Sequence, residues 1–131
     1  MKLKFFDPRE AAKTLKATAH KNGKLGFSAD AAKKMELAAG KGARIAFDEE
    51  NPEDKTLYVI ISSMAMEDTF KIIKAGEYFY LNARSLFEEL DLDYKNDNIV
   101  YDISEVLIDG RPIYKFTKRA GVKKVQLSGS L

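Results

Sequence analysis

The chain has 131 residues, a net charge of +2 and no cysteine, with ordinary hydrophobic and charged contents of 45% and 32%. The lack of cysteine excludes disulfide frameworks, thiolate metal sites and cysteine nucleophiles. Asp7-Pro8 interrupts the apolar N-terminus too early for a signal peptide, and no stretch reaches the ~20 apolar residues of a membrane span. We therefore expect a cytoplasmic protein with no membrane partner.

Charge is distributed unevenly along the chain. Residues 1–24 carry seven Lys/Arg and two Asp/Glu, which gives this end a net charge of +5. Residues 111–131 carry six Lys/Arg and no acid, a net charge of +6, which leaves −9 for residues 25–110. Basic ends that lie together in the fold would form one positive face, whereas basic ends that lie apart would serve mainly for solubility.

The N-terminal part predicts a short helix followed by a hairpin. Asp7 and Pro8 are typical of a helix cap and of the first helical position. Residues 14–28 alternate in polarity around Asn22-Gly23, which is a strong signal for a two-residue hairpin turn. We expect the helix to be brief because this alternation begins soon after it.

A second helix and a second pair of strands follow. Ser28 is a good N-cap, and Gly40 and Gly42 predict the end of the helix that it begins. Residues 43–47 alternate like a strand, and residues 56–61 form a nearly uninterrupted β-branched and aromatic run. An acidic turn joins these two strands.

The same order of elements then returns. Asn82 is expected to cap a third helix, and Asp109-Gly110 predicts a second tight hairpin turn. The predicted strands of this half are residues 70–74, 77–81, 99–103 and 111–118.

These patterns indicate a single domain built from two repeated strand–strand–helix–strand–strand units, residues 14–62 and 69–118. Counterpart positions recur at a nearly constant offset, as for Met35 and Leu90, which are 55 residues apart. A unit of this size buries little surface alone, whereas two interleaved units share one core. We predict an α+β, mostly β fold, a small barrel with a short N-terminal helix and a flexible basic tail at 119–131.

The first unit resembles the AbrB-like swapped-hairpin domain of bacterial transcription regulators and antitoxins. The resemblance is carried by Asn22-Gly23-Lys24-Leu25-Gly26-Phe27, by the short helix after it, by the glycine break and by strand 43–47. It implies that two copies interlock into one barrel, and a tandem, MraZ-type arrangement would place the second copy at residues 69–118.

The resemblance also implies DNA binding through basic residues on the first strand and just after its turn. Lys24 keeps the post-turn position. Ala17 and Thr18 supply no charge on the strand, and Glu77 replaces the post-turn basic residue in the second unit. The barrel is therefore better matched than the DNA-binding residues.

Motifs of enzymatic chemistry are missing from the sequence. His20 is the only histidine, and its place beside a turn favours an exposed residue over a catalytic base. Gly40-Lys41-Gly42 is too short for a phosphate-binding loop, and the acids of residues 91–97 lack the glycine and glutamate of a calcium loop. We expect no enzymatic activity, no metal and no cofactor.

The remaining candidates are basic residues of the two ends, which would contact DNA or RNA phosphates. They are Lys16, Lys21, Lys24, Arg111, Lys115, Lys118, Arg119, Lys123 and Lys124. We expect a small nucleic-acid-binding or regulatory protein. The acidic middle keeps open the alternative of a structural or protein–protein interaction module, such as a phage or accessory component, and self-association is open in both cases.

Overall fold

Short alternating segments separated by turns fold as ten strands and three brief helices in the computed structural model, which describes residues 1–123. The helices are α1 (Pro8–Ala11), α2 (Ala29–Lys34) and α3 (Arg84–Glu89). The strands are β1 (Lys16–Ala19), β2 (Lys24–Phe27), β3 (Gly42–Ala46), β4 (Leu57–Ser62), β5 (Phe70–Lys71), β6 (Ile73–Ala75), β7 (Tyr78–Asn82), β8 (Asp97–Ile108), β9 (Arg111–Lys118) and β10 (Val122–Lys123).

All strand pairs are antiparallel, and they form one nearly closed, barrel-like sheet in the order β5-β3-β4-β9-β8-β1-β2-β7-β6. The two ends of this order, β5 and β6, are consecutive in the chain and separated by Ile72 alone. The Ile72 N–H donates to the Lys41 carbonyl at 2.8 Å, and the Ile72 carbonyl accepts from the Gly40 N–H at 3.1 Å. The chain itself therefore joins the two ends of the sheet. The prediction of a mostly β barrel with short helices is confirmed.

The four strands that precede residue 63 each pair with one strand that is close in sequence and with one that is distant. The strands β1 and β2 pair with each other, and their second neighbours are β8 and β7. The strands β3 and β4 also pair with each other, and their second neighbours are β5 and β9. The two halves of the chain are thus interlocked strand by strand.

The core lies inside the barrel, where alternate strand residues point. Tyr101, Phe87 and Phe116 are the largest fully buried side chains. The Phe116 ring contacts Phe27 and Tyr101, with centroid distances of 6.2 and 6.3 Å. The buried Tyr101 hydroxyl donates to the Lys55 carbonyl at 3.0 Å, and burial raises the pKa of this hydroxyl.

The expected N-cap of α2 is confirmed, and that of α3 is wrong. The Ala31 N–H donates to the Ser28 side-chain oxygen at 3.3 Å. Asn82 instead is the last residue of β7, and α3 starts one residue later, after Ala83, which makes no side-chain cap bond. The register of β7 with β2 extends to Asn82 and fixes it in the sheet.

The prediction that Gly40 and Gly42 end α2 is also wrong. The helix ends at Lys34, and Glu36 takes the left-handed conformation that glycine usually supplies, with φ +53. The Leu37 N–H then donates to the Ala32 carbonyl at 2.9 Å. This bond satisfies a helix carbonyl and turns Leu37 into the core, where it is buried.

One of the two strands of the β8–β9 hairpin is longer than predicted. The strand β8 extends well beyond the expected residues 99–103, whereas β9 has the predicted bounds. The segment predicted as the start of a tail contributes β10, in which Val122 pairs with Asn98. Residues 124–131, the rest of that segment, lie outside the described part of the chain.

Candidate nucleic-acid interface

The outer surface of β1, β2 and β7 combines basic and aromatic side chains. The residues of these strands that alternate with buried ones face outward, and the register aligns Thr18 with Gly26 and Gly26 with Tyr80. No Asp or Glu occurs in these three strands. We call this surface the tyrosine face, and it consists of Lys16, Thr18, Lys24, Gly26, Tyr78, Tyr80 and Asn82.

Gly26 makes room for the Tyr78 ring at the centre of this face. A Cβ at position 26 would overlap the Tyr78 hydroxyl and would also approach His20 Nε2 to 2.9 Å. The Tyr78 side chain therefore lies across the strand β2 instead of projecting into solvent. The glycine is needed here for its lack of a side chain, since its backbone is not in the left-handed region.

His20 fixes the far end of the Tyr78 ring. His20 Nε2 and the Tyr78 hydroxyl are 2.9 Å apart and hydrogen-bonded, and the two rings meet edge to face. Partial burial raises the pKa of the Tyr78 hydroxyl, and the neighbouring Tyr80 adds to this effect. His20 is exposed, as predicted, and its contact with Tyr78 gives it a positioning role that the sequence did not indicate.

Tyr78 and Tyr80 form a stacked pair. Their ring centroids are 6.0 Å apart, and their planes differ by 25°. Lys24 Nζ lies 4.3 Å from the centroid of the Tyr80 ring, within the range of a cation–π interaction. This contact places a positive charge beside the aromatic pair and keeps the long lysine side chain close to the sheet.

The first and last basic segments of the chain meet at Asp102 of β8. Lys16 is opposite Asp102 in the register of β1 and β8. Arg119 donates to both carboxylate oxygens of Asp102, with Nε at 3.0 and 3.1 Å and Nη2 at 2.8 Å. The Arg119 guanidinium, and to a smaller degree Lys16, hold the pKa of Asp102 below its usual value. Two cations thus surround one carboxylate at the edge of the tyrosine face.

The other predicted residues do not all join this group. Lys115 lies on the outer surface of β9, opposite Tyr58 of β4 and Ser104 of β8. Lys118 faces the other side of β9 from Lys115, because side chains alternate along a strand. It is opposite the buried Tyr101, and its Nζ donates to the Arg119 carbonyl at 3.3 Å.

Three further candidates occupy separate positions. Arg111 lies at the tip of the β8–β9 hairpin, and Lys21 is exposed in the turn between β1 and β2. Lys123 belongs to β10 and pairs with Asp97 of β8, and Lys124 lies outside the described residues. The nine candidates are therefore spread over several places, of which the surroundings of the tyrosine face hold the most.

Sequence reasoning missed the aromatic half of this surface. Tyr78 and Tyr80 are two residues apart on one strand. This spacing predicts that their side chains lie on the same side of the sheet, but it does not predict which residues they contact. It also missed Arg84, whose Nη2 donates to the Asn22 carbonyl at 3.1 Å and brings a further cation to the hairpin turn. The sequence signal for both features was a pair of glycines, Gly23 in the turn and Gly26 in β2. Their lack of a side chain leaves room for Arg84 and Tyr78, which lie in the second half of the chain.

The negative charge of the middle segment is concentrated elsewhere. The acidic turn of residues 48–54 and the C-terminal end of α3 with Glu89 and Asp91 line one shallow cavity. In the described part of the chain, no group of three or more His, Cys, Asp or Glu side chains is arranged to hold a metal ion. The outward positions of β1, β2 and β7 themselves carry no acidic side chain.

Comparisons with family models, curated proteins and solved structures found no match to this chain. Within residues 1–123, every helix is too short or too polar to span a bilayer.

Proposed function

We propose that this protein is a non-enzymatic nucleic-acid-binding protein that contacts its ligand with the tyrosine face. One observation carries the proposal, namely that strands free of acids place Lys16 and Lys24 on the same surface as the stacked Tyr78 and Tyr80 rings. Lysines attract phosphates and aromatic rings accept bases, and proteins that bind nucleic-acid strands combine the two.

The charged side chains around Asp102 also support nucleic-acid binding at the tyrosine face. Its carboxylate holds the Arg119 guanidinium against the sheet, next to the position of Lys16. The local sum of Lys16, Asp102 and Arg119 is positive, because two cations share one anion. A phosphate that approaches this edge is therefore attracted by a net positive charge, which the Asp102 carboxylate reduces by one unit.

We further propose that the barrel is a tandem AbrB-like domain, with residues 14–62 and 69–118 as its two copies. The strand order supports this, since it remains the same when β1, β2, β3 and β4 are exchanged with β5/β6, β7, β8 and β9. The helices support it as well, because Asp91 has φ +54 where Glu36 has φ +53, and the Leu92 N–H donates to the Phe87 carbonyl at 2.9 Å. The residues involved in α2 and α3 are 55 positions apart throughout.

A salt titration tests the proposed binding. We expect labelled DNA to bind at low ionic strength, with log K falling linearly with log salt by about 0.7 to 0.9 per phosphate contact. The Lys24→Gln variant is expected to weaken binding and reduce this slope by about one contact. The matched control is Lys115→Gln, which removes a lysine that also lies beside a tyrosine but on another part of the sheet.

Two results would overturn the proposal. One is the lack of DNA or RNA binding at low salt. The other is an equal effect of Lys24→Gln and Lys115→Gln, because nonspecific attraction by total charge would explain it.

An interaction module is the second candidate, and the β8–β9 hairpin favours it. Residues 104–108 of β8 pair, among the described strands, with β9 alone, so one edge of this strand is open. Leu107 and Ile108 near the tip are 68% and 50% exposed. An open strand edge with exposed apolar side chains is a template for pairing with a second copy of the chain.

Light scattering distinguishes this candidate. If the hairpin mediates self-association, the chain should be larger than a monomer, and the Leu107→Ser/Ile108→Ser variant should be monomeric. A Met64→Ser/Met66→Ser variant, which removes two exposed apolar side chains elsewhere, is the control. A monomeric wild-type chain would remove this candidate.

A further inference from the structure

We infer that the Tyr78–Tyr80 pair is a stacking platform for unpaired bases, so that the ligand is single-stranded nucleic acid. This inference rests on the proposed function and specifies its ligand class. The pair lies on the outer surface of β7, where Tyr80 is opposite Gly26 of β2 and Tyr78 is the first residue of the strand, paired with Ala75 of β6.

The Tyr78 ring is held in one orientation. A tyrosine on a strand surface usually projects outward and changes rotamer freely, but Tyr78 is held at both ends. Its backbone is fixed in β7 by pairing with Ala75 of β6, and its hydroxyl is held by His20 above Gly26. A ring fixed in this way loses little entropy when a base stacks on it.

The Tyr78 ring is still accessible to a ligand. Tyr78 remains 39% exposed although its hydroxyl is anchored. Its ring therefore retains surface for a ligand, and Tyr80 extends the aromatic surface in a nearly parallel plane. Two adjacent rings match two consecutive bases of a single strand, whereas the bases of a duplex already stack on each other and expose only their edges.

Cations that can contact phosphates lie close to the aromatic pair. Lys24 Nζ lies over the Tyr80 ring, 4.3 Å from its centroid, and the Arg84 guanidinium is bonded at the hairpin turn next to Lys24. A strand whose bases lie on the two rings has its backbone near these cations. The combination of an aromatic surface with a flanking row of cations is the general arrangement of sequence-tolerant single-strand binding.

The test measures fluorescence anisotropy with three labelled probes, namely dT15, U15 and a 15-base-pair duplex, in one low-salt buffer. We expect wild type to prefer the single strands. Tyr80→Leu should weaken dT15 or U15 binding about tenfold and leave duplex binding within about twofold. Tyr78→Phe keeps the ring but loses the bond to His20, so its affinity for the single strands should fall between that of wild type and that of Tyr78→Leu, which should resemble Tyr80→Leu. The ratio of dT15 to U15 affinity shows whether DNA or RNA is preferred.

Tyr58→Leu is the matched control, because Tyr58 is 38% exposed and lies beside Lys115 but has no stacked partner among the described rings. This variant should bind all probes as wild type does. The chain has no tryptophan, so tyrosine fluorescence gives a second readout, and its quenching by dT15 should decrease in both platform variants. Circular dichroism should show that each variant is folded.

Failure of the proposed function and failure of the stacking platform give different results in this experiment. Lack of binding to every probe would overturn the proposed function. Binding of strands and duplex with equal affinity, unaffected by Tyr78→Leu and Tyr80→Leu, would overturn the platform while the proposed function remained. Preference for the duplex would also overturn it.

Discussion

Two surfaces of the barrel each place a tyrosine beside a lysine, but they differ in how the tyrosine is held. On the tyrosine face, Tyr78 is bonded to His20, lies over Gly26 and stacks on Tyr80. On the surface of β4 and β9, Tyr58 has Lys115 as its neighbour on one side and Ala46 on the other. The two tyrosines are about equally exposed, at 39% and 38%. Two tyrosines of equal exposure, each beside a lysine, therefore differ in whether their orientation is fixed, and this difference is the basis for proposing a site at one of them and not at the other.

The largest effect is expected from a substitution in the core that lies beneath both surfaces. Phe116 lies in the core under β9 and contacts Phe27 under β2 and Tyr101 under β8. Phe116→Ala should therefore lower the free energy of unfolding by about 3–5 kcal/mol through lost burial and a cavity. Chemical denaturation measures this loss, and Phe5→Ala, which removes a ring that is 92% exposed, should change stability by less than about 0.5 kcal/mol. Equal stability of the two variants would contradict the described core.

A smaller effect is expected from Gly26→Ala, which makes the tyrosine face resemble the β4–β9 surface. The added methyl group occupies the position of the Tyr78 hydroxyl, so the ring must leave its place and lose its bond to His20. We expect single-strand binding to fall about tenfold and unfolding to become easier by about 1 kcal/mol. Anisotropy and denaturation measure the two changes. Gly121→Ala, where the nearest atom would be Lys118 Nζ at 3.6 Å, should leave both as in wild type.

A change in the opposite direction is expected from Asp102→Asn. This substitution removes the one carboxylate that pairs with Arg119 beside Lys16. Nucleic-acid affinity should rise a few-fold at low salt because a repulsive charge is lost, and this gain should shrink as salt rises. Glu105→Gln is the control, since it removes a carboxylate paired with Lys34 of α2. An equal gain from both variants would indicate an effect of net charge alone.

The smallest effect is the pH dependence of the same pair. The pKa of Asp102 is lower in the folded protein, so the pair contributes stability above the unfolded pKa of about 4 and loses it as pH falls through the folded pKa. Because both side chains are about half exposed, the contribution should be below about 1 kcal/mol. The melting temperatures of wild type and Asp102→Asn should differ most near neutral pH and converge below about pH 4. A difference that grows on acidification would contradict this assignment.

Most strands and turns could be predicted from the sequence, because alternation and signals such as Asn22-Gly23 are local, but the length of β8 and the presence of β10 could not. The ends of the helices were harder to predict, since Glu36 adopts a conformation that glycine usually takes and Ala83 begins a helix without a capping side chain. The tyrosine face was predicted only in its basic half. His20 and Tyr78 are 58 residues apart, and no local pattern shows that they meet.

The interlocked pairing of the two halves also has a consequence for synthesis of the chain. When the first 62 residues have been made, β1, β2, β3 and β4 each lack one neighbour, because those neighbours are β8, β7, β5 and β9. The nascent barrel therefore has open strand edges until the second half emerges, and such edges invite pairing with other chains. Completion of the fold must wait for contacts between residues far apart in sequence, which makes folding slow for a chain of this size. The same arrangement that closes the mature sheet thus leaves the unfinished chain with unpaired edges that can join to other chains.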